Sequence, residues 1–130
     1  MTIGSSRENY LKAILVLRRR GGMVRNVDVA RYLGVTNASV STMIVALSGE
    51  GYVERTKEPP FLLSLTEAGL RIAERTYERH CFFRKLLVDA GVSNDVAERE
   101  ACALEHSISD ESFSLLRRAV ERRRKREDNA

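Results

Sequence analysis

The order of three short patterns between residues 26 and 65 constrains the fold of this chain more than any other feature. A short apolar segment that Asn26 is expected to cap ends at Gly34, a residue type that closes helices in the left-handed conformation. Thr36 then caps a second helical pattern, whose apolar side chains recur at every third or fourth position: Val40, Met43, Ile44 and Leu47. Because that spacing puts side chains on one helix face, the segment predicts a short helix, a glycine turn and a second helix.

The opposite face of that second helix predicts contact with double-stranded DNA. Its side chains are small and mostly polar, which lets a helix enter a major groove roughly 12 Å wide. The residues expected to touch DNA there are Thr36, Asn37, Ala38, Ser39, Ser41 and Thr42. An ordinary helical hairpin with a solvent face rich in Ser and Thr fits the same pattern.

Two β-prone runs after Gly51 favour the DNA-binding interpretation. Residues 52–55 and 61–65 are separated by a segment that contains Pro59 and Pro60, which predicts a hairpin with a stiff tip. Arg55 and Lys57 would lie where a phosphate backbone is within reach. A hairpin directly after a helix-turn-helix is the wing of a winged-helix domain. A plain surface hairpin would look similar, so the inference depends on the order of the elements.

The rest of the chain predicts helices only. They are expected at residues 5–19, 66–90, 93–106 and from 110 onward, with Ser5 or Ser6, Thr66 and Ser93 as caps and with Phe113, Leu116 and Val120 facing inward. The fold class is therefore mainly α. We expect a winged helix-turn-helix DNA-binding domain at residues 1–70 and an all-helical dimerisation domain at residues 71–130. The apolar surface of the long helix favours a homodimer that reads two half-sites.

Charge and composition agree with a DNA-binding protein. The net charge of +4 is confined to residues 1–66, where nine basic residues stand against five acidic ones. The chain has no apolar leader and no apolar run near the roughly 18 residues that span a bilayer, which predicts a cytoplasmic protein without membrane contact. Of its two cysteines, Cys81 is expected to be buried and inert.

A cluster of potential metal ligands follows the DNA-binding pattern. On a helix, Cys102, Glu105 and His106 would share one face because residues three and four apart are neighbours. A thiolate, a carboxylate and an imidazole suit Fe²⁺, Zn²⁺ or Co²⁺ better than Mg²⁺ or Ca²⁺. No glycine-rich phosphate loop, nucleophile elbow or HExxH motif accompanies them, so the chain is not expected to be an enzyme or to bind a small-molecule substrate.

The chain resembles the diphtheria toxin repressor and manganese transport regulator family of metal-dependent repressors. The similar segments are residues 8–14, 27–30, 39–43, 65–69, 79–80 and 100–109. The resemblance implies a homodimer whose binding to a DNA operator is stimulated by metal. The family's ligand positions fall on Asn9, Lys12, His80, Arg84, Glu98, Cys102, Glu105 and His106.

Three of those positions depart from the family: Asn9 stands where the family usually has methionine or aspartate, and Lys12 and Arg84 stand where some members have glutamate. Lys12 and Arg84 are cations without a lone pair at neutral pH, so neither can bind a metal ion. We therefore expect one site per subunit, for Fe²⁺ or Mn²⁺ with Zn²⁺ or Co²⁺ as alternatives. It would be formed by Cys102, Glu105 and His106 together with His80, Asn9 and Glu98.

The sequence thus predicts a sequence-specific transcriptional regulator, most simply a repressor, under the control of a divalent transition metal. One alternative is a metal-independent winged-helix regulator, in which the Lys12 ammonium pairs with Glu105 where the ion would lie. Another is a winged helix that serves only protein contacts. Salt-dependent binding to duplex DNA would separate the DNA-binding interpretations from the last one.

Overall fold

The computed structural model describes residues 3–130, which form two compact units that divide between Tyr77 and Glu78. Within residues 3–130 there are six helices and one two-stranded sheet. Their bounds are α1 Ser5–Gly21, α2 Asn26–Leu33, α3 Asn37–Gly49, β1 Val53–Arg55, β2 Leu63–Leu65, α4 Glu67–Asp89, α5 Asn94–Leu104 and α6 Asp110–Asp128. None of the described helices is long and apolar enough to cross a membrane.

The first unit is built around one apolar core. Leu11 and Ile14 of α1 are fully buried, and so are Val40 and Leu47 of α3. The sheet adds the buried Leu63 to the same cluster. The periodic apolar positions predicted for α3 therefore face the core, which leaves the opposite side of that helix at the surface.

The predicted turn between α2 and α3 is confirmed. Gly34 follows α2 in the left-handed conformation, with φ of 69°, which costs a glycine little. The side chain of Thr36 caps α3 by accepting a hydrogen bond from the backbone N–H of Ser39 at 3.1 Å. Beyond the other end of α3, Arg7 donates two hydrogen bonds of 2.9 Å to the carboxylate of Glu50. These hydrogen bonds hold the pKa of Glu50 below its usual value.

The predicted hairpin is present but shorter than the sequence indicates. The strands β1 and β2 are antiparallel and pair over three residues each, from Val53 with Leu65 to Arg55 with Leu63. Phe61 lies outside β2 because its φ of 55° is left-handed rather than extended. Thr56 closes the tip, since its hydroxyl accepts a hydrogen bond of 2.8 Å from the N–H of Leu62.

The second unit has a smaller core formed largely by aromatic rings. Phe83 of α4 and Phe113 of α6 are buried together with Ala101 of α5. The ring of Phe82 meets each of the other two aromatic rings edge to face, with centroids 5.3 Å apart in both cases. Such edge-to-face pairs contribute roughly 0.5–1.5 kcal/mol beyond the burial of their area.

Two predicted helix caps are wrong by one or two residues. Ser5 and Ser6 lie inside α1, and Gly4 is the capping residue, because its φ of 100° is one that a non-glycine residue rarely adopts. Asn26 is likewise the first residue of α2 rather than its cap. Arg25 holds the cap position, and its backbone N–H donates a hydrogen bond of 2.9 Å to the carboxylate of Asp28.

Three further expectations about the second unit are wrong. The helix α5 ends at Leu104 rather than at His106, because the N–H of Ser107 bonds back to the Leu104 carbonyl and tightens the chain into a turn. Cys81 is exposed rather than buried, since the helix face of α4 that packs inward carries Phe83 instead. Leu116 of α6 is 36% exposed. The domain boundary predicted between residues 70 and 71 stays a prediction.

Candidate metal centre and DNA-binding face

Three potential metal ligands converge at the end of α5. Cys102 lies in the last turn of that helix, Glu105 follows it as the C-terminal cap, and His106 belongs to the turn beyond. The thiol sulphur and one ligand atom of each of the other two side chains lie within 4.8 Å of one another. The convergence predicted from an i, i+3, i+4 spacing is therefore present, although only Cys102 is inside the helix.

The carboxylate of Glu105 is the buried centre of this group. Its side chain has no exposed surface, and each of its oxygens faces a different imidazole. Oε2 is 2.9 Å from Nδ1 of His80, and Oε1 is 3.1 Å from Nε2 of His106. A buried carboxylate is costly unless it is paired, so these contacts fix its position.

A second set of contacts extends from His80 to the surface of the second unit. Nε2 of His80 is 2.8 Å from Oε1 of Glu98 on α5. The other oxygen of Glu98 accepts a contact of 2.9 Å from Nε of Arg84 on α4. Both ring nitrogens of His80 are thus directed at carboxylate oxygens, and Arg84 supplies the positive charge at the far end. We call this chain of contacts, from Arg84 through Glu98 and His80 to Glu105, the Arg84 relay.

The donors in the second unit fit a divalent transition metal. The cluster offers one sulphur, one carboxylate oxygen and one imidazole nitrogen, a combination that favours borderline ions over Mg²⁺ or Ca²⁺. Within residues 3–130, this is the only group of at least three His, Cys, Asp or Glu side chains close enough to hold an ion.

The predicted ligand Asn9 and the neighbouring Lys12 are in the first unit, on α1. Asn9 is half-buried, and Lys12 is only 4% exposed. Within the second unit, His80 contacts Glu105 of the cluster, and Glu98 contacts His80. The membership of Asn9 in a metal site stays a prediction.

The outward face of α3 carries the side chains predicted to meet DNA. All six of them are exposed: Thr36, Asn37, Ala38, Ser39, Ser41 and Thr42. Two of their hydroxyls bond locally, since Thr36 donates to the Ser39 hydroxyl at 2.9 Å and Thr42 donates to the Ala38 carbonyl at 3.1 Å. Lone pairs on these oxygens remain available to donors on DNA.

The wing presents the two predicted cations. Arg55 is exposed at the end of β1, where its guanidinium lies 4.4 Å from the centre of the Phe61 ring. This stacking restricts the arginine without using its N–H groups. Lys57 is exposed at the tip of the hairpin.

Two features of these sites were missed in the sequence. The Arg84 contact with Glu98 joins residues on different helices, and no spacing rule predicts it. Val45 of α3 is 73% exposed although it is apolar. Its position could have indicated this exposure, because Val45 lies three residues after Thr42 and four after Ser41, on the helix face already assigned to DNA.

Both halves of the chain match models of the iron-dependent repressors. Residues 2–59 match the family described as the iron-dependent repressor N-terminal DNA-binding domain, and residues 66–129 match the iron-dependent repressor metal-binding and dimerisation domain. The two matches together account for nearly the whole chain.

Individual relatives agree with these matches. The transcriptional regulator MntR of Escherichia coli O6:H1 is 34% identical over 110 residues, which cover 85% of this chain and 70% of the relative. An uncharacterized HTH-type transcriptional regulator of Methanocaldococcus jannaschii is 30% identical over 122 residues, which cover 92% of this chain and 96% of the relative. Among solved structures, the manganese regulator SloR matches with a TM-score of 0.78 and 29% identity over 93% of this chain. The chain spans about half the length of SloR and of several other solved structures that it matches, 55% in the case of SloR.

Proposed function

The chain belongs to the diphtheria toxin repressor and manganese transport regulator family of metal-dependent DNA-binding transcriptional repressors, and on that premise we propose that metal bound at Cys102, Glu105 and His106 controls its binding to an operator. The family consists of transcriptional regulators, not of enzymes. We propose that the protein acts in the cytoplasm, because the relatives that it resembles are regulators of bacteria and archaea, whose DNA lies there.

The convergence of three unlike donors within 4.8 Å supports this proposal most strongly. A bound divalent ion would supply the positive charge that holds a thiolate, a carboxylate and an imidazole together. The carboxylate of Glu105 is already oriented, since both of its oxygens face imidazole nitrogens. An oriented ligand loses less freedom on binding, which favours affinity.

We assign His80 and Glu98 to the support of this site rather than to a second one. His80 positions Glu105, and Glu98 positions His80. The Arg84 guanidinium occupies the remaining carboxylate oxygen of Glu98 at 2.9 Å and repels a second cation there. We therefore propose one metal ion per subunit.

The donor set and the family restrict the identity of the ion. The thiol of Cys102 favours Fe²⁺, Zn²⁺ or Co²⁺, whereas Mn²⁺ prefers sites richer in oxygen. The family description names iron, and the name of the similar solved structure names manganese. We propose Fe²⁺ as the first candidate and Mn²⁺ as the second, with Zn²⁺ or Co²⁺ as substitutes in vitro.

On DNA, we propose that two subunits bind a two-fold operator. The face of α3 from Thr36 to Thr42 would meet base edges in the major groove, while Arg55 and Lys57 of each wing would contact phosphates. The match to a dimerisation domain at residues 66–129 supports the paired arrangement.

One observation favours the metal-independent alternative. Lys12 is only 4% exposed, and a buried ammonium requires a compensating negative charge. If this ammonium replaced the ion, the protein would bind its operator at all times. Metal would then leave the affinity for DNA unchanged.

A metal titration separates the two functions. Duplexes are selected from a random-sequence pool in the presence and in the absence of metal, and the affinity for the enriched duplex is measured while Fe²⁺, Mn²⁺ or Zn²⁺ is added under anaerobic conditions. We expect at least a tenfold increase in affinity, within the roughly 5–150-fold range typical of allosteric coupling.

The two cysteines provide a matched control for that titration. Cys102→Ser should abolish the metal response, whereas Cys81→Ser should keep it because Cys81 is exposed and is not part of the cluster. Glu105→Gln should behave like Cys102→Ser. An affinity that stays the same with every ion, in the wild type as in the variants, would establish the metal-independent alternative.

A further inference from the structure

Val45 is the most exposed of the large apolar side chains in the described part of the chain. It is 73% exposed, followed by Met23 at 66%. A single exposed apolar residue is common in proteins and needs no explanation by itself. The position of Val45 is what gives its exposure meaning.

Val45 lies on the same stripe of α3 as the residues assigned to DNA. Ala38 precedes it by seven positions, Ser41 by four and Thr42 by three, and these spacings place all four side chains on one face of a helix. The core-facing residues Val40, Ile44 and Leu47 occupy the other face. Val45 therefore lies within the surface that would enter the groove.

That surface carries no charged side chain. The helix from Asn37 to Gly49 contains neither an acidic nor a basic residue. Arginine and lysine usually read guanine, and glutamate or aspartate reads cytosine, so these modes of base recognition are absent from α3. Base discrimination by this helix is left to hydroxyls, one amide and methyl groups.

Each major-groove edge is polar except at thymine, whose C5 methyl group is apolar. Valine is well suited to meet that methyl group. Its χ1 angle is restricted in a helix, so it loses little freedom on contact. A cleft of about 240 Å³ lies beside Val45, lined by Asn26, Ser41, Ile44, Ser48 and Arg55. The wing cation Arg55 therefore lines the same cleft as Val45, which places a candidate phosphate contact beside the proposed base contact.

We propose that Val45 is a specificity-determining residue that packs on the C5 methyl group of one thymine in each half-site. This inference rests on the proposed DNA-binding function and extends it to a residue and to a feature of the operator. The side chain would select thymine over cytosine at that position through an apolar contact alone.

Removal of the methyl group from DNA provides the test. In a duplex selected from a random-sequence pool by the wild type, each thymine is replaced in turn by deoxyuridine, which keeps the base pair and loses only the methyl group. We expect one position per half-site where this change weakens binding about fourfold, the effect that corresponds to burial of one such group.

The Val45→Ala variant tests whether the side chain of Val45 is the group that contacts this methyl group. With Val45→Ala, the deoxyuridine substitution at that position should have no further effect, while the other thymines keep their individual effects. Val45→Thr retains one methyl group and should give an intermediate loss. Met23→Ala is the matched control, because it removes an exposed apolar side chain of the same unit that is not on α3, and it should leave the deoxyuridine effects unchanged.

The outcomes are distinct. If the wild type binds the selected duplex and every deoxyuridine effect is the same in Val45→Ala, the assignment of Val45 is overturned while the proposed function stands. If Val45→Ala changes the number of subunits in the assembly without changing base preference, the side chain serves a protein contact and the assignment is overturned as well. If the wild type enriches no duplex at all, both the inference and the proposed function are overturned.

Discussion

At the scale of single residues, the Arg84 relay puts a guanidinium, a carboxylate and an imidazole side by side. Arg84 lies 2.9 Å from Glu98, which in turn lies 2.8 Å from His80. A carboxylate and an imidazole this close together could serve as two of the ligands of a metal ion. The guanidinium satisfies the carboxylate permanently, because its charge is not lost at any physiological pH.

Replacement of this arginine should therefore create a second metal site. Arg84→Glu would place a second carboxylate beside Glu98 and His80, which gives two oxygens and one nitrogen for a divalent ion. We expect about one Mn²⁺ or Zn²⁺ per subunit in the wild type and about two in the variant. Isothermal titration calorimetry, together with elemental analysis of the dialysed protein, measures this number.

Lys85→Glu is the control for the change in charge. Lys85 is on the same helix and pairs with Asp89 rather than with Glu98, so its replacement should leave the metal content at one. A value of one for Arg84→Glu, or of two for the wild type, would contradict the assigned role of Arg84.

The sequence predicted part of this arrangement. Cys102, Glu105 and His106 are close in the chain, so their convergence follows from local spacing. The pairing of Arg84 with Glu98 depends on how α4 packs against α5, and the sequence contains no direct information about that packing. The exposure of Cys81 was mispredicted for a similar reason, since the inward face of a helix depends on its partners.

At the scale of elements, the junction between the wing and α4 is tightly constrained by hydrogen bonds and by a close backbone contact. The hydroxyl of Thr66 donates to the Gly51 carbonyl at 2.7 Å and accepts the N–H of Gly69 at 3.1 Å, and thereby caps α4. A Cβ atom at Gly69 would lie 2.0 Å from the backbone oxygen of Tyr52. Only glycine permits this approach, because a backbone atom cannot move aside as a side chain does.

We expect Gly69→Ala to be strongly destabilising. The added methyl group would force α4 away from the wing, at a cost of about 2 kcal/mol or more. Urea denaturation followed by circular dichroism measures the change in the free energy of unfolding.

Gly21→Ala serves as the matched substitution. Gly21 ends α1, and a Cβ atom there would meet no heavy atom within 4 Å. Its free energy of unfolding should stay within about 1 kcal/mol of the wild type. Equal losses in both variants would refute the close approach at Gly69.

Elements were more predictable than their ends. The Thr66 cap, the Gly34 turn and the apolar stripe of α3 follow from local sequence rules, and the structure confirms each of them. The caps of α1 and α2 were shifted by one residue, because Ser5 and Asn26 are good capping residues that lie beside the ones used. Local preference alone cannot choose between two adjacent candidates when tertiary contacts decide.

At the scale of the whole molecule, the division of labour between affinity and selectivity follows from where the charges lie. The basic excess falls in residues 1–66, yet α3 carries none of it. Among the residues assigned to DNA, Arg55 and Lys57 of the wing hold the positive charge. Phosphate contacts by the wing would therefore set the strength of binding, and α3 would set its sequence preference.

Lys57→Ala tests this division. We expect weaker binding to every duplex by a similar factor, because a phosphate contact is independent of sequence. The slope of the logarithm of the binding constant against the logarithm of salt concentration should become shallower by about one for each lysine–phosphate contact that is lost. Fluorescence anisotropy over a series of salt concentrations gives both quantities.

The comparison variant is Thr42→Ala, which removes a hydroxyl from the exposed face of α3 without a change in charge. It should alter the ranking of duplexes and leave the salt slope as it is. The assignment fails if both variants weaken all duplexes equally with the same slope.

The absence of charge on α3 also affects how the protein would behave in a cell whose ionic strength varies. Ions released from DNA on binding would come from contacts made by the wings, and these contacts are the same on any sequence. A rise in salt would then lower the binding constants for operators and for random DNA by a common factor. The ratio between the two would stay constant, so the protein would continue to find the same genes during osmotic stress even as its total occupancy of DNA falls.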